Sequence, residues 1–211
     1  TARADDGTED RQELQAVALP PHGGAGMPPE ICVNVGQARA FYYDATARRL
    51  WLPDRELGEG PYGHADGAYF RSWPGADAWD GIRDGVNRHL RGTEHQPVFQ
   101  SFLIGCTRYC LRLPRGVYAT RLCFAEPFTA AARRERALPH GADAAGNRVF
   151  DVVVNGQAVR PGLCPAAAYG EQTAGEEACV VRVADAGLVV ELRPRAGLPV
   201  LNGIAVRRLV G

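Results

Sequence analysis

Aromatic side chains crowd one irregular stretch of the chain: Tyr62, Tyr69, Phe70, Trp73 and Trp79 all fall between Glu56 and Gln96. Tyr42-Tyr43 stands shortly before it. A tryptophan in a Gly/Asp-rich loop is often partly exposed, and an exposed ring can stack on the flat apolar face of a pyranose while a few polar groups fix its hydroxyls. Trp73, Trp79, Tyr69 and Tyr43 are the candidate rings for such binding. The competing reading is that they cover the open edge of a sheet. Trp51 lies within a predicted strand and reads as core.

Catalytic patterns are weaker. The only serines, Ser72 and Ser101, sit outside any Gly-x-Ser-x-Gly elbow, which excludes an α/β-hydrolase nucleophile. Cys106 and Cys110 have the wrong spacing for a zinc knuckle, and His89 and His95 read as a solvated pair. A glycosidase needs two facing carboxyl groups; Glu126, at the end of a predicted strand, is the best single candidate. No cofactor motif is present, and bound structural calcium, common among β-sandwich binders, is not decided by sequence.

Composition narrows the class. The 24 Asp and Glu residues balance 24 cations, every one of them arginine. A neutral chain lacks the basic footprint that nucleic-acid binding requires. No apolar run approaches the ~18 residues of a membrane span. With 25 glycines and 15 prolines in 211 residues, the chain favours many short strands joined by turns over long helices. Six cysteines allow fifteen pairings; Cys164 and Cys179, flanking one loop, are the first pair to expect in an oxidising compartment. The alternative is that several are small buried apolar groups.

Three phrases must position whatever chemistry there is. In Gly116-Val-Tyr-Ala-Thr-Arg-Leu-Cys-Phe-Ala-Glu-Pro-Phe128, Tyr118, Thr120, Leu122 and Phe124 share one strand face, with Arg121 and Cys123 on the other. In Asn147-Arg-Val-Phe-Asp-Val-Val-Val-Asn-Gly156, the alternation of Phe150, Val152 and Val154 runs into Asn155-Gly156, a strong hairpin signal. The third is Leu198-Pro-Val-Leu-Asn-Gly-Ile-Ala-Val206. Strands are expected near 31–35, 50–52, 98–104, 109–113, 117–126, 148–154, 157–159, 179–183, 188–192 and 200–209, an all-β antiparallel sandwich. Long insertions at Glu56–Gln96 and Thr129–Gly146 interrupt it, and loops of that length in a compact domain are usually functional or disordered. Residues 1–29, acidic and then rich in Pro and Gly, read as a linker or partner-binding tail, and 30–211 as the domain.

In their order and spacing these phrases resemble the malectin-like domain, with Val33-Asn-Val-Gly36, Asp44, Trp51 and Asp54-Arg55 agreeing in the first half. The resemblance covers roughly Ile31 to Leu209 and implies a jelly-roll sandwich that binds carbohydrate without catalysis. It implies that Glu126 is structural. It adds Tyr62, within Tyr62-Gly63, and Phe128 as sugar-contacting rings on loops at one edge. The chain departs from the family at Ile104, Thr129 and Ala196 or Gly197, so the diglucosylated N-glycan specificity of malectin itself is not expected.

The expected role is a non-catalytic carbohydrate-binding module for an oligo- or polysaccharide, within a larger glycan-active or cell-surface protein. The competing role is an interaction module whose sugar site has eroded, with other domains or subunits as partners. Arg133, Arg134 and Arg136 would favour an anionic sugar if they face the same edge as Tyr62. The chain starts at Thr1 without a Met, which points to a removed signal or upstream domain and to a secreted, cell-surface or secretory-pathway protein.

Overall fold

A computed structural model describes residues 30–70, 85–86, 88–135, 147–184 and 187–210. The alternation read from the central phrase is realised in β8 (Gly116–Ala125), where Tyr118, Thr120, Leu122 and Phe124 are all buried. On one side β8 pairs with β11 (Ala174–Val183); on the other it pairs with β14 (Gly203–Val210). The sheet continues through β1 (Glu30–Asn34) and β3 (Arg49–Pro53) to β2 (Tyr42–Asp44) at its edge. All these pairs are antiparallel except β1 with β3.

The facing sheet has five strands, in the order β10 (Gln157–Leu163), β9 (Val149–Val154), β12 (Leu188–Ala196), β7 (Arg108–Leu111) and β4 (Tyr62–His64). Phe150, Val152 and Val154 of β9 point inward as their spacing requires. The expected hairpin forms: Asn155 and Gly156 take φ of 46° and 78°, the left-handed values a two-residue turn demands. The side chain of Asn155 then braces the start of β12, accepting from Val189 N–H at 2.7 Å and donating to Gly187 C=O at 3.1 Å. The two inner faces close on one apolar core, so the fold is an all-β sandwich.

A short third sheet, β13 (Val200–Leu201), β6 (Leu103–Ile104) and β5 (Ala68–Tyr69), joins the same core. Of the strand expected over 98–104 only Leu103–Ile104 forms; residues 98–100 belong to a helix, α1 (Gln96–Gln100). Pro97 suits a first helical turn, and the Gln96 amide donates to Leu90 C=O at 2.6 Å and Thr93 C=O at 3.0 Å. Val98 and Phe99 then pack on the outer side of the six-stranded sheet, against Cys32, Trp51, Cys123 and Ala205. Two further helices, α2 (Ala130–Glu135) and α3 (Pro165–Ala168), occupy connections. All six cysteines are free thiols, which corrects the expected Cys164–Cys179 pairing.

Candidate functional site

The loop edge where the family resemblance places a ligand is held by buried polar groups. Asp54, just after β3, accepts from Gly36 N–H at 2.9 Å, from Arg55 N–H at 2.8 Å and from the Tyr109 hydroxyl at 2.7 Å. Burial raises the Asp54 carboxyl above its ordinary range, and those donors pull the other way. Burial, and then the Asp54 charge, pushes the Tyr109 hydroxyl well above its usual value. Gly36 has φ of +84°, and a Cβ there would lie 2.3 Å from the Phe102 backbone, so this crossing requires glycine. Beside it, His64 meets the Tyr69 hydroxyl through Nε2 at 3.1 Å and the Asp66 carbonyl through Nδ1 at 3.0 Å.

Two more polar nodes tie the strand ends. Glu126 and Arg148 form a buried ion pair at 2.7 Å, and Arg148 also donates to Leu198 C=O at 3.0 Å. The structural role implied for Glu126 agrees with this geometry, because its charge is used to neutralise a buried guanidinium. Asn202 is fully buried: it donates to the carbonyls of Phe99 and Ser101, both at 2.9 Å, and accepts from Ala125 N–H at 2.8 Å. One amide thus joins α1, β8 and the start of β14.

The family-implied rings are spent on packing. Tyr62 is only 2% exposed, its hydroxyl donates to Pro53 C=O at 2.9 Å, and the Arg55 guanidinium lies 4.7 Å over its ring. Phe128, also 2% exposed, meets Phe70 at 5.3 Å and Phe102 at 6.4 Å between ring centroids. Arg88 lies 6.0 Å above its ring. Tyr62 and Phe128 are thus both covered by their own chain in this structure. The three departures from the family pattern also have structural uses. Ile104 pairs with Val200, the Thr129 hydroxyl accepts from Ala132 N–H at 3.2 Å, and Ala196 pairs with Val149 at the end of β12.

Tyr69 is half-buried against His64, with ring centroids 5.3 Å apart. Tyr43 lies elsewhere, on β2 at the sheet edge, and is 55% exposed. The two described candidates, Tyr43 and Tyr69, thus lie on different sheets. Trp73, Trp79 and Arg136 fall outside the described residues, as do the side chains of Arg133 and Arg134. His95 is not a solvated partner of His89; its Nδ1 lies 3.3 Å from Asp44 Oδ2. The Asp54–Tyr109 and Asn202 nodes were missed in the sequence because their partners lie 55 and about 100 residues apart. The only local hint was the polar Asn202 inside an apolar phrase.

Among the described residues, no group of three or more His, Cys, Asp or Glu side chains is placed to hold a metal ion. Nor is any of their helices long and apolar enough to cross a membrane.

No family model and no curated protein matches the chain. Solved structures do. A Bacteroides uniformis beta-glucuronidase aligns with a TM-score of 0.67 and 23% identity, over 85% of this chain and 18% of that one. The plant receptor-like kinase ANX2 aligns with a TM-score of 0.57 and 12% identity, over 86% and 48%. A structure of the plant peptide RALF23 in complex with FER and LLG2 gives 0.53 and 16%, over 91% and 54%. These similarities support a malectin-like fold. The chain spans less than a fifth of the glucuronidase and about half of the plant chains.

Proposed function

We propose that this chain is a non-catalytic carbohydrate-binding module of a larger glycan-active or cell-surface protein, with residues 30–211 as the binding domain and 1–29 as its connecting tail. The observation that supports this most is the alignment of 85% of the chain with 18% of a beta-glucuronidase. The same sandwich recurs there as a small part of a protein named for its action on a sugar conjugate. In this reading the module holds oligo- or polysaccharide through rings outside the packed core. Tyr43, Tyr69, Trp73 and Trp79 are its candidate contacts. Few rings engage, so single-site dissociation constants fall between roughly micromolar and millimolar. The proposed location is the cell exterior or secretory pathway; with six free thiols, the fold there would not depend on disulfides.

Calorimetric titration against a panel of neutral and acidic oligosaccharides tests the proposal. Saturable heats with at least one class support it; flat traces across the whole panel overturn it. One observation favours a second reading, a protein-interaction module: the similarity to a structure in which a plant peptide is complexed with FER and LLG2. Flat glycan titrations together with a stable complex formed with a neighbouring domain of its parent protein would establish that reading instead.

A further inference from the structure

The six-stranded sheet has one strand more than the sheet it faces, and the extra strand, β2, is its edge. Tyr42 is paired with Trp51 on the outer side, where both join the small cluster under α1. The next pair, Tyr43 with Leu50, therefore turns to the side that elsewhere makes the core. Leu52, two residues beyond Leu50, does pack on that core. Tyr43 and Leu50 are nevertheless 55% and 47% exposed, and Phe41, two residues before Tyr43, is 70% exposed. Among the described residues, Phe41 and Tyr43 are the only aromatic rings with most of their surface in solvent. Stacking by any described ring is therefore available chiefly at this edge.

Among the described residues, charge at the same edge is not balanced. Arg39 and Arg48, on either side of β2 in sequence, are exposed, and neither lies within ion-pair distance of a described carboxylate. The acids around them are already engaged. Glu30 pairs with Arg49 at 3.0 Å. Asp44 accepts from Thr46 and Ala47 N–H at 3.0 and 3.1 Å and faces His95. Asp54 is closed by its three donors.

Size decides between occupants. A large side chain buries roughly 150–250 Å², so three of them half to two-thirds exposed offer on the order of 300 Å². A standard protein interface needs about 800 Å² per partner. The patch is too small to hold a protein alone, but two exposed rings on alternate residues, Tyr43 in β2 and Phe41 just before it, suit neighbouring units of one sugar chain. Guanidinium groups supply paired donors for carboxylate or sulfate.

We infer that the β2 edge is an acidic-oligosaccharide site in which Phe41 and Tyr43 stack on the sugar and Arg39 and Arg48 bind its anionic groups. This rests on the carbohydrate-binding reading and gives it a place and a ligand class that the loop edge does not supply.

The test is calorimetry on the full chain with hexamers of galacturonate, of a glucuronate-containing repeat and of a sulfated repeat, and with neutral cellohexaose. The wild type should bind at least one acidic hexamer more tightly than cellohexaose, and less tightly as salt is raised. Losing two stacked rings in F41A/Y43A should weaken that binding roughly tenfold or more. R39A/R48A should weaken it by about fivefold for the acidic hexamer and leave cellohexaose unchanged. All four residues are exposed, so circular dichroism should show intact folds; amide chemical shifts of the wild type give a second readout, with perturbations centred on 39–50. If binding survives F41A/Y43A but is lost in W73A/W79A, the carbohydrate reading stands and this inference falls. If no hexamer binds, both fall. A concentration-dependent dimer of the wild type that F41A/Y43A abolishes, with unchanged glycan heats, would also overturn it, in favour of self-association.

Discussion

The loop edge and the β2 edge both carry aromatic rings beside arginines, and they use them in opposite ways. At the loop edge the Tyr62 hydroxyl is committed to Pro53, its ring lies under Arg55, and Phe128 is enclosed by Phe70 and Phe102. At the β2 edge the rings of Phe41 and Tyr43 stand in solvent, and among the described residues no carboxylate pairs with the neighbouring Arg39 and Arg48. A ring can recognise a ligand only if its face is not already occupied by its own chain. Residue type and family position do not reveal this; the packing does.

The contrast can be broken by substitution, starting where the effect should be largest. Glu126→Ala leaves Arg148 as a buried charge without its carboxylate, and urea unfolding should register a loss of about 3–5 kcal/mol. A change below about 1 kcal/mol would show that the ion pair is not holding this end together. Tyr62→Ala should cost about 3 kcal/mol, as expected for truncating a buried aromatic ring. If Tyr62→Ala unfolds at the wild-type urea midpoint but loses glycan binding, the loop edge is the ligand site and the assignment to packing is wrong.

Alkaline titration probes the interior between these edges. Burial raises the Cys32 thiol from its ordinary 9.0 to about 12. Between those values the unfolded chain gives up a proton that the folded chain keeps. The contribution is thus fully present below pH 9 and falls as pH rises toward about 12. Each such thiol lowers stability by at most ~1.4 kcal/mol per pH unit in that window. Unfolding midpoints followed from pH 8 to pH 11 should fall accordingly; a flat profile would mean that Cys32 is not sealed beneath α1. The smallest expected effect is at the other edge, where Tyr43→Ala should change stability by no more than about 0.5 kcal/mol. A loss comparable to that of Tyr62→Ala would show that Tyr43 is part of the packed structure.

Much of the sandwich was readable from alternation. The faces of β8, the inward set of β9 and the Asn155-Gly156 turn all appear as their spacing predicts, because period-2 burial is a local signal carried by successive residues. Three elements were not readable for the same reason: β2, β4 and β5 have only three, three and two residues, too few for a period to emerge. The segment 98–104 misled because Val98, Phe99 and Phe102 are all buried, yet Val98 and Phe99 face the outer cluster and Phe102 the main core. The candidate site was legible only as a set of ring-bearing positions. Whether Tyr62 or Tyr43 presents its face depends on Pro53, Arg55 and the missing sixth strand of the opposite sheet, and none of these acts within the local window of a strand pattern.

The pairing of β1 with β14 has a consequence for how the molecule is made. The first and last described strands lie side by side in mid-sheet, with Glu30 opposite Arg207, so β8 and β1 gain their shared neighbour only when that last strand is available. During synthesis the six-stranded layer stays divided until residues 203–210 have cleared the ribosome. The same pairing sets entry and exit next to each other, which would allow the domain to be spliced into a surface turn of a larger protein without prying its host apart.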